Sequence, residues 1–135
     1  MSVLALDVGT TGVTALVVSE TGAVLRRGYQ EFAQHFPRPG WVEHEPEEIW
    51  QATLAAARIA LAGLDDVTCV GVTDQRETAV LWDRRTLAAP RRAIVWQDRR
   101  TAAQCEARKE AGQGDRVAEL TGLRLDPYFT ATKLS

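Results

Sequence analysis

The amino terminus carries two short apolar runs on either side of a turn rich in glycine and threonine. Residues 3–6 form the first run, residues 13–18 form the second, and Gly9-Thr10-Thr11-Gly12 lies between them. Apolar runs this short have the length of buried strands, and glycine readily allows the chain to reverse direction between them. The pattern therefore predicts a β-hairpin at the start of the chain.

A third strand and a long helix are predicted next. Residues 24–32 follow a Glu-Thr-Gly turn and mix apolar with polar side chains, as a partly exposed strand does. Pro46 is then followed by two glutamates, which is typical of a first helical turn. The residues that recur at helical spacing after it are Ile49, Trp50, Thr53, Leu54, Ala57, Leu61 and Leu64. We expect this helix to cover one face of the sheet.

The second half of the chain alternates shorter elements. Residues 67–73 are predicted to form a buried strand parallel to the first, because a helix separates the two as in a βαβ crossover. Shorter strands are predicted at residues 79–82 and 93–96. Helices are predicted at residues 98–111 with Asp98 as the cap, at 115–120, and from an Asp126-Pro127 start to Ser135. The fold class indicated is an α/β domain in which three antiparallel strands lead into parallel βα units.

Composition limits the function classes. The chain has 135 residues, of which 45% are hydrophobic and 25% charged, with a formal net charge of -2. This is ordinary for one globular domain, and the charge provides no field that would attract nucleic acid or an anionic membrane. The sequence has no apolar run of the roughly 18 residues needed to span a membrane and no basic signal-peptide start, so we expect a cytoplasmic protein. Cys69 and Cys105 stand singly and are predicted to be free thiols.

The first turn has the chemistry of a phosphate-binding element. Gly9 and Gly12 would let backbone N–H groups approach a phosphate closely, and the hydroxyls of Thr10 and Thr11 could add hydrogen bonds. Asp7, at the end of the first strand, could hold Mg²⁺ through water. A turn of this composition also occurs with no ligand at all, and the sequence contains no P-loop.

A second constellation follows the buried strand at residues 67–73. Arg76 and Glu77 are adjacent, and Trp96 ends a later apolar run. A guanidinium beside a carboxylate can bind vicinal hydroxyls, and a Trp face suits the C–H edge of a polyol. The alternative is a surface ion pair, because neighbours on a strand point to opposite faces, together with a tryptophan that belongs to the core.

Several motifs occur in an order that resembles the amino-terminal domain of the FGGY carbohydrate kinases. The motifs are Asp7-Val8-Gly9-Thr10-Thr11-Gly12, Pro39-Gly40-Trp41-Val42-Glu43-His44, Gln75-Arg76-Glu77-Thr78, Val95-Trp96-Gln97-Asp98-Arg99-Arg100-Thr101, Thr121-Gly122-Leu123 and Asp126-Pro127-Tyr128-Phe129. The similarity is greatest to the members that phosphorylate glycerol. It implies a ribonuclease H-like fold of the type found in actin and hexokinase.

The resemblance also implies a site and a reaction. Arg76, Glu77 and Tyr128 would bind substrate hydroxyls, Trp96 would line the carbon chain, and the reaction would use ATP and Mg²⁺. The catalytic general base of the family would lie downstream of Ser135, so residues 1–135 are expected to be one truncated amino-terminal domain without turnover of its own. The full enzyme would be a homo-oligomer. The alternatives are a kinase of the same family for a pentulose or another polyol, and a non-catalytic polyol-binding remnant.

Overall fold

The computed structural model describes residues 1–135, and they divide into two compact units. Unit 1 contains residues 1–34 and 45–75, and unit 2 contains residues 35–44 and 76–135. The elements in chain order are β1 (Ser2–Val8), β2 (Gly12–Ser19), β3 (Val24–Glu31), β4 (Glu43–His44), α1 (Pro46–Leu61), β5 (Val67–Asp74), β6 (Ala93–Ile94), α2 (Ala102–Glu110), α3 (Gln113–Thr121) and α4 (Thr130–Lys133). A membrane-spanning helix would need a longer apolar stretch than any of these helices contains.

Unit 1 is a four-stranded mixed sheet with one helix on it. The strand order is β3-β2-β1-β5, in which β1, β2 and β3 are antiparallel and β5 runs parallel to β1. The Gly9 N–H donates to the Gly12 carbonyl at 3.0 Å and closes the first turn. The hairpin, the third strand, the long helix and the parallel strand predicted from the sequence are confirmed. The prediction that the parallel strand is buried is wrong, because β5 lies at the edge of the sheet and is exposed over most of its length.

The core of unit 1 forms where α1 lies on the sheet. Three alanines on one face of the helix, Ala52, Ala56 and Ala60, are buried against Leu4, Val13, Ala15 and Val17. Small side chains let the helix approach β3 closely: a Cβ added at Gly28 would lie 2.0 Å from the Ala56 carbonyl oxygen. Helix and strand therefore meet backbone to backbone at this point, where only glycine fits.

Unit 2 contains little regular structure. Its sheet consists of β4 and β6. Ala79 forms a single β-bridge with Ile94, in which each backbone N–H donates to the other residue's carbonyl, at 2.8 and 2.9 Å. The prediction of a strand over residues 79–82 is therefore wrong beyond Ala79. Leu81 and Trp82 are exposed, and the Asp83 carboxylate accepts the Thr86 N–H in a tight turn, so the chain leaves the sheet.

Two helices of unit 2 begin later than predicted. α2 begins at Ala102 and not at Asp98, because the buried Asp98 carboxylate accepts the Arg100 N–H and the Val42 N–H and so holds a turn before the helix. α4 begins at Thr130 and not at Pro127, because the Asp126 carboxylate accepts the Tyr128 N–H at 2.9 Å and holds a turn there. α3 is confirmed, with its bounds at Gln113–Thr121.

We expect Gly28→Ala to destabilise unit 1, because its Cβ would overlap the Ala56 carbonyl and force α1 away from the sheet. The predicted loss in the free energy of unfolding is about 3 kcal/mol, measured by urea denaturation. The control is Gly71→Ala on β5, where an added Cβ meets no atom within 4 Å. Equal stability of the two variants would contradict the close approach.

The free edge of β5 leads to a second prediction. Val70 and Val72 are 58% and 67% exposed, whereas the other edge strand, β3, carries Arg26, Arg27 and Glu31, which discourage edge-to-edge pairing. We expect the chain to self-associate in sedimentation experiments and Val72→Lys to shift it towards monomer. The matched control is Ile59→Lys, which replaces an exposed apolar side chain on α1 and should leave association unchanged. A wild-type chain that sediments as a monomer would refute this prediction.

Candidate functional site

A buried carboxylate organises the part of unit 2 that precedes α2. The side chain of Asp98 is 1% exposed, and its Oδ2 accepts the Val42 N–H at 2.7 Å. Arg100 donates to the same carboxylate through Nε and Nη2, each at 2.9 Å, and its Nη2 also donates to Glu43 at 2.8 Å. The Arg100 guanidinium stacks 3.8 Å from the centre of the Trp41 ring. The carboxylate thereby ties the loop before β4 to the loop after β6.

The charges of this cluster stabilise one another. Burial alone would raise the pKa of Asp98, but hydrogen bonds from Arg100 and from the Val42 N–H outweigh it and hold the pKa below its ordinary value. Burial alone would lower the pKa of Arg100, and the bonds to Asp98 and Glu43 reverse that effect. Both groups therefore stay ionised in the folded protein.

Trp96 and Tyr128 lie side by side. Their ring centres are 5.9 Å apart at an interplanar angle of 67°, and Tyr128 in turn contacts Phe129 edge to face at 5.0 Å. The backbone N–H of Trp96 donates to the Thr78 hydroxyl at 3.3 Å. This bond fixes the Trp96 backbone next to Thr78, the residue that follows Glu77. Trp96 is half-buried, so its ring contributes to packing and still presents a surface.

An open cavity of about 380 Å³ adjoins this aromatic pair. Its lining residues are Trp96, Gln97, Arg99, Arg124, Asp126 and Tyr128. Arg99 pairs with Asp126 at 3.1 Å. Burial alone would raise the pKa of Asp126, but the Tyr128 N–H and the charges of both arginines hold that pKa below its ordinary value. The cavity thus combines aromatic faces with ionised donors and acceptors, which is the chemistry that binds a small polar molecule.

Glu77 does not lie on a strand. β5 ends at Asp74, and Glu77 occupies a left-handed backbone conformation with φ of 63° in the turn that follows. Its Oε2 accepts the Thr130 N–H at 2.7 Å and the Thr130 hydroxyl at 2.9 Å. The alternative interpretation, in which Arg76 and Glu77 are strand neighbours that point to opposite faces, is therefore wrong.

Lys133 links two of the residues that the family resemblance assigns to the substrate. Its side chain is buried, and its Nζ donates to the Glu77 carbonyl at 2.5 Å and to the Tyr128 carbonyl at 2.7 Å. Burial lowers the pKa of Lys133, while the negative charges of Glu77 and Asp98 oppose that shift. Sequence reasoning does not identify this residue, because a lysine in a short helix is ordinarily exposed.

The structure brings three of the four predicted polyol-binding residues together. Trp96 touches Tyr128, and Glu77 is joined to Tyr128 through Lys133 and to the Trp96 backbone through its neighbour Thr78. Arg76 is exposed in the turn after β5. No hydrogen bond or ion pair holds its guanidinium to the other three.

The predicted phosphate-binding residues form the tip of the β1–β2 hairpin in unit 1. The Gly9 N–H is bonded within the turn, and Gln75 donates to the Gly9 carbonyl at 3.2 Å. Gly12 is buried against β3, since an added Cβ would lie 2.8 Å from the Gln30 carbonyl oxygen. Packing alone therefore requires glycine at this position. Thr10 is half-buried and Thr11 is exposed, so the threonines form the outer surface of the tip.

Asp7 is an exposed carboxylate near the end of β1. It pairs in register with Thr14 on β2 and Thr73 on β5. No group of three His, Cys, Asp or Glu side chains in residues 1–135 could enclose a metal ion. Mg²⁺ commonly uses one or two carboxylates and completes its shell with water and substrate phosphates, so a lone Asp7 fits a Mg²⁺ that arrives with a nucleotide.

Comparison with known proteins identifies the family of the chain. The pattern that defines the FGGY family of carbohydrate kinases, N-terminal domain, matches residues 2–135. The chain belongs to this family. It is 51% identical to a glycerol kinase of Methylobacterium nodulans and 52% identical to one of Rhodopseudomonas palustris, in each case over 98% of the chain. The chain spans 27% of the length of each of these relatives.

Solved structures of a glycerol kinase and of a xylulose kinase share the fold. The crystal structure of Plasmodium falciparum glycerol kinase with ADP superposes with a TM-score of 0.93 at 27% identity, over 98% of this chain and 28% of that one. A xylulose kinase from Rhodospirillum rubrum superposes with a TM-score of 0.86 at 26% identity, over 99% of this chain and 28% of that one. The predicted actin- and hexokinase-like fold is thereby confirmed.

The Asp98 cluster predicts a strong effect of one substitution. Asp98→Asn removes the charge that balances the poorly exposed Arg100, so we expect the free energy of unfolding to fall by about 3 kcal/mol. The control is Asp65→Asn, an exposed loop aspartate of unit 1. Urea denaturation at pH 7 measures both variants, and equal midpoints would contradict the role of Asp98.

The same cluster predicts a dependence on pH. A carboxyl whose pKa is lower in the folded than in the unfolded state stabilises the fold above its ordinary pKa, which is 3.8 for Asp98. That contribution is lost as the pH falls from this value through the folded-state pKa. Stability of the wild type should therefore decline more steeply below pH 3.8 than that of Asp98→Asn.

Proposed function

We propose that this chain is the amino-terminal part of a glycerol kinase. The observation that carries the proposal is a sequence identity of 51% and 52% to two glycerol kinases over 98% of the chain. In the complete protein, the reaction would convert MgATP and glycerol to ADP and glycerol 3-phosphate. We place this enzyme in the cytoplasm and expect it to be a homo-oligomer.

The polyol is assigned to Glu77, Trp96, Tyr128 and Arg76. Both hydrogen bonds from Thr130 use Oε2 of Glu77, so Oε1 is the oxygen that would accept from a substrate hydroxyl. The phenol of Tyr128 can donate or accept, and the ring of Trp96 offers an apolar surface to the carbon chain. Arg76 would donate from its exposed guanidinium, and substrate would be the group that orders it.

The nucleotide is assigned to the hairpin of unit 1. Thr10 and Thr11 would donate to ATP phosphates at the tip, with Gly9 and Gly12 keeping the turn compact, and Asp7 would hold Mg²⁺ through water. Mg²⁺ would neutralise charge that develops on the phosphates during transfer. The ADP bound in the Plasmodium falciparum glycerol kinase supports nucleotide use by this fold.

No residue of this chain is assigned as the general base. Phosphoryl transfer depends on a positioned acceptor hydroxyl and on charge neutralisation around the transferred group. In the complete protein, we expect the base to come from the region downstream of Ser135. We therefore expect residues 1–135 alone to bind polyol with little or no turnover.

A kinase for a pentulose is the second candidate. Two xylulose kinases at 26% and 25% identity share the fold with TM-scores of 0.86 and 0.85. Binding of xylulose at lower concentration than glycerol would favour this candidate over the first.

Titration of glycerol into the labelled chain tests the proposal. Glycerol should shift the Trp96 indole N–H signal saturably, and Arg76→Ala should raise the glycerol Kd by about tenfold or more, because a charged hydrogen bond is lost. The fold should be unaffected, because Arg76 is exposed. The matched control is Arg91→Ala, at another exposed arginine. Absence of saturable shifts in the wild type, or equal affinity of the two variants, would overturn the assignment.

A further inference from the structure

Lys133 is a buried cation to which the proposed function assigns no role. It is 7% exposed, it has no carboxylate partner within ion-pair distance, and its Nζ faces two backbone carbonyls. An ammonium group buried in this way is costly unless it is hydrogen-bonded, so its retention needs a reason. We propose that Lys133 is a positioning residue that sets the geometry of the polyol site by binding the backbone carbonyls of Glu77 and Tyr128 at once. This inference rests on the proposed function.

The two carbonyls belong to parts of unit 2 that are distant in sequence. Glu77 lies 56 residues before Lys133 and Tyr128 lies 5 residues before it. An ammonium carries three N–H donors and no acceptor, so it can join two carbonyls without competing for other donors. Lys133 thus holds the backbone of the carboxylate residue beside the backbone of the phenol residue.

The conformation of Glu77 explains why such a bond is needed. A non-glycine residue with φ of 63° is strained and persists only where its surroundings hold it. Lys133 binds the Glu77 backbone carbonyl, and Thr130 binds the Glu77 carboxylate through its N–H and its hydroxyl. Both ends of Glu77 are therefore held by the same short stretch of chain.

The Lys133 ammonium is directed at the protein backbone and not at substrate. The ammonium itself is occupied by carbonyls and buried, so it is not presented to a phosphate. Its effect on substrate is indirect, through the placement of Glu77 and Tyr128.

Direct observation of the two hydrogen bonds comes first. In the wild-type chain, the Lys133 ¹⁵Nζ should show scalar couplings across hydrogen bonds to the carbonyl ¹³C of Glu77 and of Tyr128. This measurement needs neither glycerol nor a folded variant, so it decides on the bridge even if the proposed function fails. Couplings to neither carbonyl, or a Lys133 ammonium in fast exchange with water like that of Lys109, would overturn the proposal.

The effect on the polyol site is measured with Lys133→Met, which keeps an unbranched apolar side chain and removes the ammonium. The expected result is a glycerol Kd raised about tenfold, with the carbonyl ¹³C signals of Glu77 and Tyr128 shifted before any glycerol is added. Lys109→Met is the matched control, because Lys109 is an exposed lysine on α2 paired only with Glu106. It should change neither the Kd nor those two carbonyl signals.

The outcomes separate the two proposals. A wild-type chain that shows both couplings but no saturable response to glycerol would contradict the proposed function and leave the bridge intact. A wild-type chain that binds glycerol, with Lys133→Met folded and equal to it in Kd, would overturn the positioning role of Lys133 and leave the function standing.

Discussion

The carboxylate of Asp98 is the group on which the organisation of unit 2 depends. This unit has a two-stranded sheet of two-residue strands and short helices, so backbone ladders contribute little to holding it together. Asp98 compensates by accepting hydrogen bonds from Val42 and Arg100 inside the protein. Arg100 in turn donates to Glu43 and stacks on the ring of Trp41. A satisfied buried carboxylate can join loops where apolar packing cannot, because each of its bonds has a direction and a defined partner.

Unit 1 is held together by the opposite means. Its core contains aliphatic side chains of the sheet and a face of alanines on α1, and Gly28 allows the helix to come so close that backbones touch. Dense packing of small groups stabilises the sheet whose hairpin tip carries the proposed phosphate-binding residues. Each unit thus carries one set of candidate binding residues. The proposed phosphate-binding residues lie on a hairpin, and the proposed polyol-binding residues lie on loops held by hydrogen bonds.

The proposed polyol site depends on contacts that lie behind its surface. Glu77 and Tyr128 can meet one small substrate only if their backbones are held in register, and Lys133 and Thr130 provide that restraint from within the protein. Trp96 is placed by the Thr78 hydroxyl in the same way. The shape of the proposed site therefore depends on residues behind its surface as well as on those that would touch substrate.

The sequence by itself determined the elements whose signals are local and periodic: β1, β2, β3, α1 and β5 follow from short apolar runs and helical spacing, and the ordered motifs identified the family. The family resemblance also named Arg76, Glu77, Trp96 and Tyr128 as polyol-binding residues, and that assignment stays a prediction. Tertiary structure decided the rest, because distant partners override local signals: burial of Asp98 beside Arg100 moves the start of α2 to Ala102, and the strand expected after Ala79 has no neighbour to pair with. The role of Lys133 follows only from the folded chain, since its two carbonyl partners carry no side-chain signature and one of them lies 56 residues away.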